Sequence, residues 1–448
     1  MSELRRIDAL VAEIGSTTTV VSAFEGLAPD SSVEPRLLGQ GVAPTSVLQG
    51  DVGIGVEAAR AELEAATGPL DAAVTLATSS AAGGLRMTVH GLTRKMTAMA
   101  AREAALGAGG VVEFVTAGPL RDHDLVSIEE VGPSLVLLAG GVEGGDSETV
   151  LHNARMLAGL QARPIVIYGG NSAVRAEACE LLEDAGFRVH ATANVYPAVD
   201  ELDILPARAV IHDAFEEHIV HAPGMERIGE LVSGRILPTP GAVLIAAELL
   251  AEAVGDLVVV DVGGATTDVH SVTDGSPDIA AIATGPEPHS KRTVEGDLGT
   301  FVSARHVAAL IDEALRPEGL PPAIPTASAD VAAAVLLART AAVVGVQRHA
   351  GRLSHLYTPK GRQTVAKGRD LTACRVVVGT GGALTRLPGG EAMLRAALAP
   401  ASGSDRLLPP WDARCVLDRD YIFAACGALS TAFPHERVVA LMRASTGL

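Results

Sequence analysis

Short apolar runs that stop at glycine or polar turns alternate with Ala/Leu/Glu-rich stretches of helical spacing along almost the whole chain. The runs VVSAF, TLA, VEFV, LVLLAGG, PIVIYGG, LVVVDVGG and RVVVGTGG predict strands, most of them apolar on both faces, as in sheets covered on both sides. Between them, 56–66, 93–106, 173–185 and 242–253 predict helices. Strands and helices in alternation predict an α/β protein.

One pattern occurs twice. Residues 10–22 read LVAEIGSTTTVVS and residues 258–270 read VVVDVGGATTDVH, more than half the chain away. Glu13 matches Asp261, Gly15 matches Gly263, and Thr18-Thr19 match Thr266-Thr267. Each copy predicts a β-hairpin with an acid at the end of its first strand and a small, hydroxyl-rich turn. Such turns bring backbone N–H groups and hydroxyls close to phosphate oxygens, and a carboxylate beside them can hold a hydrated Mg²⁺ that bridges phosphates. A single copy reads as an ordinary tight turn; a matched pair predicts a duplicated, two-lobed protein with a phosphate cradle between the lobes. The candidates are Gly15, Ser16, Thr17, Thr18 and Thr19 in the first copy and Gly263, Gly264, Ala265, Thr266 and Thr267 in the second, with Glu13, Asp261 and Asp268 as metal-binding carboxylates.

A third glycine segment, RVVVGTGGALTRL at 375–387, follows a buried strand with Gly379, Thr380, Gly381 and Gly382, where a flat adenosine could approach bare backbone. Neither G-x-G-x-x-G nor G-x-x-x-x-G-K-[ST] spacing occurs, which sets aside dinucleotide and P-loop readings. Two smooth segments, LPTPGA at 237–242 and AACGALS at 424–430, read as closely packed or sliding helices.

Composition narrows the partners. The 448 residues carry 35 Lys+Arg against 53 Asp+Glu, a formal charge of −18, which disfavours nucleic acid and anionic membrane. Aromatics make up only 3%, so the core is built from Ala, Val, Leu and Ile. The 4 cysteines form no C-x-x-C pair and suit buried, reduced thiols. Apolar stretches such as 133–142 are too short to span a bilayer, and no leader pattern is visible, so a soluble cytoplasmic protein is expected.

The two turns, the glycine segment and the two smooth helices together resemble the actin–sugar kinase–heat-shock ATPase superfamily. One departure stands out: Glu13 occupies the place of the usual aspartate, one methylene further out. ATSSAAGGLRM (77–87), LLAGGVEGGD (137–146), KRTVEGDLGT (291–300), KGRDLTACRVVVGTGGAL (367–384) and LDRDYIFAACG (417–427) are similar to the glutamate-mutase accessory family called MutL, unrelated to the mismatch-repair protein of that name. The resemblance implies a duplicated actin-like (ribonuclease H-like) fold with two lobes around a nucleotide cleft. The first lobe is expected at 1–85 and 195–255, an inserted α/β subdomain at 86–194 and the second lobe at 256–448. It also implies ATP/ADP and Mg²⁺ as cofactors, subunits of an adenosylcobalamin-dependent mutase as partners, and a reactivating, chaperone-like role with slow ATP hydrolysis; self-association is left open.

Other segments carry alternatives. Glu295 and Asp297 could orient water or metal and Arg292 could reach phosphate, or the loop could simply brace the lobes. The loops 79–84 and 140–146 read either as ligand loops or as turns. His212, His218 and His221 read as a solvated helix face rather than a metal site, and the basic run 348–375 likewise. A small-molecule kinase, an ATP-dependent amide hydrolase and a non-hydrolysing nucleotide-binding assembly factor remain as alternatives.

Overall fold

The computed structural model describes residues 4–81, 85–358, 361–399 and 404–448. Its first sheet holds β1 (Arg5–Ile14), β2 (Thr18–Glu25), β3 (Arg36–Pro44), β4 (Leu70–Ser79) and β10 (Ile236–Pro238), in the order β10-β4-β1-β2-β3. β1 pairs antiparallel with β2 and parallel with β4. Its side chains alternate between two cores. Leu10, Ala12 and Ile14 join the packing that includes helix α1 (Val52–Thr67), whereas Ala9 and Val11 face the second half of the molecule. That two-sided burial is why the strand is apolar without a break from Ala9 to Ala12.

The second sheet repeats this arrangement with β11 (Leu257–Val262), β12 (Thr267–Val272), β13 (Ser290–Glu295), β16 (Val376–Thr380) and β17 (Arg414–Leu417), ordered β13-β12-β11-β16-β17. In both sheets the first strand therefore has two strands in antiparallel pairing on one side and two in parallel pairing on the other. The repeat seen in sequence is a repeat of topology, and the chain has the duplicated actin-like fold.

A third sheet, β5 (Leu85–Gly91), β6 (Gly110–Ala117), β7 (Leu135–Leu138), β8 (Ile165–Tyr168) and β9 (Val189–Ala191), is wholly parallel and ordered β6-β5-β7-β8-β9. Helix α2 (Thr97–Gly107) links β5 to β6, and α3 (Leu205–Ile219) leads back toward β10. A hairpin, β14 (Arg352–Thr358) with β15 (Gly361–Lys367), stands apart.

Between the first and second sheets lie α4 (Thr239–Val254), which follows β10, and α6 (Phe423–Leu429), which follows β17. Their shared core takes Val11 and Leu76 from one sheet and Val259, Val378 and Val416 from the other. The two helices meet so closely that a Cβ on Gly427 would lie 2.0 Å from the Ala242 carbonyl oxygen. This contact is the reason for the small residues in both segments.

One helix is longer than the apolar stretches considered above: α5 (Ser328–His349) is long and apolar enough to cross a membrane. Leu337, Ala338, Ala341, Ala342 and Val346 are nonetheless buried in the core of the second sheet, so its apolarity serves packing there. The four cysteines are free, three of them buried.

Candidate functional site

The two repeated turns close in the same way. The N–H of Gly15 donates to the Thr18 carbonyl at 2.9 Å, and that of Gly263 to the Thr266 carbonyl at 3.0 Å. Each turn is then braced from beyond the third strand by a threonine. The Thr45 hydroxyl donates to the Gly15 carbonyl at 2.9 Å, and the Thr300 hydroxyl to the Gly263 carbonyl at 3.3 Å. In the second turn the brace comes so near that a Cβ on Gly299 would sit 2.3 Å from the Ala265 carbonyl, which explains the glycine of the DLGT sequence. Thr45 and Thr300 were not singled out above; the available signal was a threonine just past the third strand in both copies.

Within the turns the hydroxyls divide into two groups. Thr19 shares a hydrogen bond with Thr45 at 3.0 Å and Thr267 donates to the Leu298 carbonyl at 2.5 Å, so these two hold the turns together from inside. Ser16 and Thr17 are exposed, and Gly263, Gly264, Ala265 and Thr266 are half-buried.

Carboxylates converge behind the turns. Glu13 accepts a hydrogen bond from the Tyr421 hydroxyl at 2.6 Å, and burial raises its pKa to about 7 despite that bond. Burial, then the charges of Asp268, Glu13 and Asp418, push the Asp261 pKa well above the usual carboxylate range. Asp418, fully buried at the end of β17, accepts from Thr380 at 2.9 Å, Ser445 at 2.9 Å and the amides of Ile422 and Phe423. Asp418 and Tyr421 lie in the quoted LDRDYIFAACG segment but were not read as site residues. The adenosine candidates separate here. Gly379 is enclosed by Leu394 and Leu417, Gly381 has φ +82° and its Cβ position is 2.3 Å from Asp261 Oδ1, and only Gly382 borders open space.

The MutL protein family model matches residues 9–445. The chain belongs to the MutL family. Its match takes in both turns, Gly381 and the Asp418–Tyr421 loop. Protein MutL of Clostridium tetanomorphum is 36% identical over 389 residues, covering 81% of this chain and 84% of that protein. Among solved structures, a diol dehydratase-reactivating factor in nucleotide-free form is 11% identical, with a TM-score of 0.34 over 96% of this chain and 99% of its own. A nucleotide-free acetone carboxylase is 14% identical, with a TM-score of 0.40 over 95% of this chain and 70% of its own.

Other candidates of this MutL family member are committed elsewhere. Arg292, expected near phosphate, is wholly buried and bonded to Asp268 at 2.6 Å, so neither side chain is free for a ligand. Arg348 holds both Glu295 at 2.7 Å and Asp297 at 2.6 Å. The Arg348 guanidinium also keeps the Asp297 carboxyl below its ordinary range, the wrong direction for a general base at neutral pH. The buried Arg369, which donates to Ser271, leaves the solvated basic face expected for it, whereas Arg348 stays exposed on that face while it pairs with the two acids. Arg352, Arg362 and Lys367 are exposed, and Lys360 lies outside the described residues.

His212 is likewise not on a solvated face. Its Nε2 meets the Ala108 carbonyl at 3.1 Å, and that of His218 meets Ser134 at 2.9 Å. Ser79 caps the Ala81 amide, and 82–84 lie outside the described residues. Glu143 of the acidic loop accepts from Ser172 and from Asn194 at 2.8 Å, which holds its carboxyl below the ordinary range and ties the loop to the segments that follow β8 and β9.

No three His, Cys, Asp or Glu side chains among the described residues form a ready metal cage. Glu13 and Asp261 nevertheless fit Mg²⁺ of the kind that keeps most of its waters. They are hard oxygen donors whose pKa values are raised chiefly by burial, with the charge of Asp418 adding to Glu13 and those of Asp268, Glu13 and Asp418 adding to Asp261, and a cation would relieve that repulsion. Two hollows of about 540 and 470 Å³ lie away from the turns, the first at the opposite end of β1 beside Arg6 and Asp8, the second beside Arg208 and Glu248.

Proposed function

We propose that this chain is an ATP-operated reactivating partner of an adenosylcobalamin-dependent carbon-skeleton mutase of the glutamate mutase type. In this reading 1–85 with 195–255 forms one lobe, 256–448 the other, and 86–194 an inserted subdomain that meets the mutase. The observation that carries the reading is the pair of turns, Gly15–Thr18 and Gly263–Thr266, closed by the same hydrogen bond and braced by equivalent threonines. The amides of Ser16 and Thr17 from one side, and of Gly264 and Ala265 from the other, receive the phosphates. Glu13 and Asp261 hold hydrated Mg²⁺, which when bound neutralises phosphate charge, and Gly382 leaves room for the adenosine.

Nucleotide binding would then draw the lobes together across α4 and α6, and release would let them part. That cycle biases affinity for the mutase and lets damaged cobalamin leave so that intact cofactor enters. Turnover is expected to be slow. The two acids read as candidates for orienting water, Glu295 and Asp297, are held by Arg348. That same clamp favours, as the second reading, an assembly factor that binds nucleotide without hydrolysing it. The test is phosphate release from Mg-ATP by the purified chain, alone and with an inactivated mutase from the same organism. Stimulation by the mutase supports reactivation; binding without release supports the second reading; release only with a small-molecule acceptor would replace both with a kinase.

A further inference from the structure

Arg292 on β13 is among the largest wholly buried side chains of the molecule, and its guanidinium faces two ways. On one side Nε and Nη2 donate to Asp268 Oδ1 at 2.7 and 2.6 Å. The other carboxylate oxygen of Asp268 accepts from the hydroxyl of Thr266, the last residue of the second turn, at 3.1 Å. On the other side Nη1 donates to the Leu106 carbonyl at 3.0 Å and the Gly110 carbonyl at 2.9 Å, at the corner where α2 gives way to β6. We propose that Arg292 is the positioning residue that couples the second turn to the third sheet, so that nucleotide bound at Gly263–Thr266 is felt at 106–110.

The corner is pinched from the other half as well. His212 meets the Ala108 carbonyl, and Gly109, at φ +93°, lies so close to the start of α4 that a Cβ there would stand 2.7 Å from the Gly241 nitrogen. A shift of the second turn therefore strains one tie while the other holds. The network from Thr266 through Asp268 to Arg292 is largely buried, and exchanging its partners for water is costly. Only a planar fork of several donors can serve a carboxylate and two carbonyls at once; lysine keeps the charge but not the fork.

This inference rests on the nucleotide reading above. It is tested by hydrogen–deuterium exchange on the full chain, with and without Mg-ATP, following the second turn and the segment 104–112 in the wild type and in Arg292→Lys. In the wild type, Mg-ATP slows exchange at both places, at 104–112 by roughly fivefold or more. In Arg292→Lys the turn remains protected by nucleotide while 104–112 stops responding; a merely structural role would raise exchange equally with and without nucleotide. A corner that still responds in the variant, or a wild-type corner that ignores nucleotide while the turn is protected, overturns the coupling and leaves nucleotide binding standing. No protection at the second turn removes the nucleotide reading and the coupling together. Should Arg292→Lys not fold, the wild-type comparison and Asp268→Asn decide the matter.

Discussion

The Tyr421 hydroxyl donates to Glu13 Oε1 at 2.6 Å, joining the loop after the last strand of the second sheet to the first strand of the first sheet. Tyr421 adopts φ +52°, an uncommon conformation for a non-glycine residue, at the point where the chain turns into α6. The methylene by which Glu13 exceeds an aspartate gives its carboxylate reach toward that partner. Glu13→Asp should therefore loosen the tie between halves while keeping the charge, measurable as a lower Tm without nucleotide.

The protonation of Glu13 has a definite sign. Burial raises its pKa from 4.5 to about 7, so the folded chain holds a proton that the unfolded chain has already released. The stabilisation is complete below about pH 4.5 and is lost as pH rises through about 7. In buffer free of nucleotide and divalent metal, Tm of Glu13→Gln minus Tm of the wild type should grow in the variant's favour across that window. A flat difference would contradict it.

Asp261 is buried among like charges, which costs stability and would favour binding of a cation there. Asp261→Asn should raise Tm without ligand and lose the stabilisation by Mg-nucleotide, with affinity reduced about tenfold or more, a change of about 1.4 kcal/mol. Thermal shift at several nucleotide concentrations separates the two effects.

Gly381 and Gly382 are neighbours with opposite demands. Gly381→Ala meets a positive φ and Asp261, so it should cost at least about 1–2 kcal/mol of stability. Gly382→Ala meets open space at the first residue of a short helix and should leave folding intact. If adenosine lies there, Gly382→Ala weakens nucleotide binding without lowering Tm; unchanged affinity would move the base elsewhere.

Gly427→Ala drives a methyl into the Ala242 backbone and wedges α4 from α6. Overpacking of this kind costs about 1–3 kcal/mol. Denaturant unfolding should show a lower midpoint, and no change would mean that the helices already separate freely.

The duplication was legible because each copy joins an acid, a glycine turn and two threonines inside a strand pair, a pattern that also orders the sheets around it. The contacts that tune the site were not. Tyr421 and Glu13 are 408 residues apart in sequence, and nothing local marks either as the other's partner. Arg348 lies 51 residues from Asp297, in a helix whose charges read equally well as solvent-facing. Arg292 looked available for phosphate because its motif is polar, and only packing of α2 against β13 reveals that it is consumed by backbone carbonyls. Side-chain types announced the turns; the braces behind them depended on tertiary approach.

The most direct measurement is recovery of turnover by an inactivated adenosylcobalamin-dependent mutase, incubated with free cobalamin, the wild-type chain and Mg-ATP, beside reactions lacking ATP or carrying Asp261→Asn. The expected result is activity regained only with ATP and the wild-type chain. Equal recovery without ATP, equal recovery with Asp261→Asn, or no recovery under any condition would contradict a nucleotide-driven reactivase.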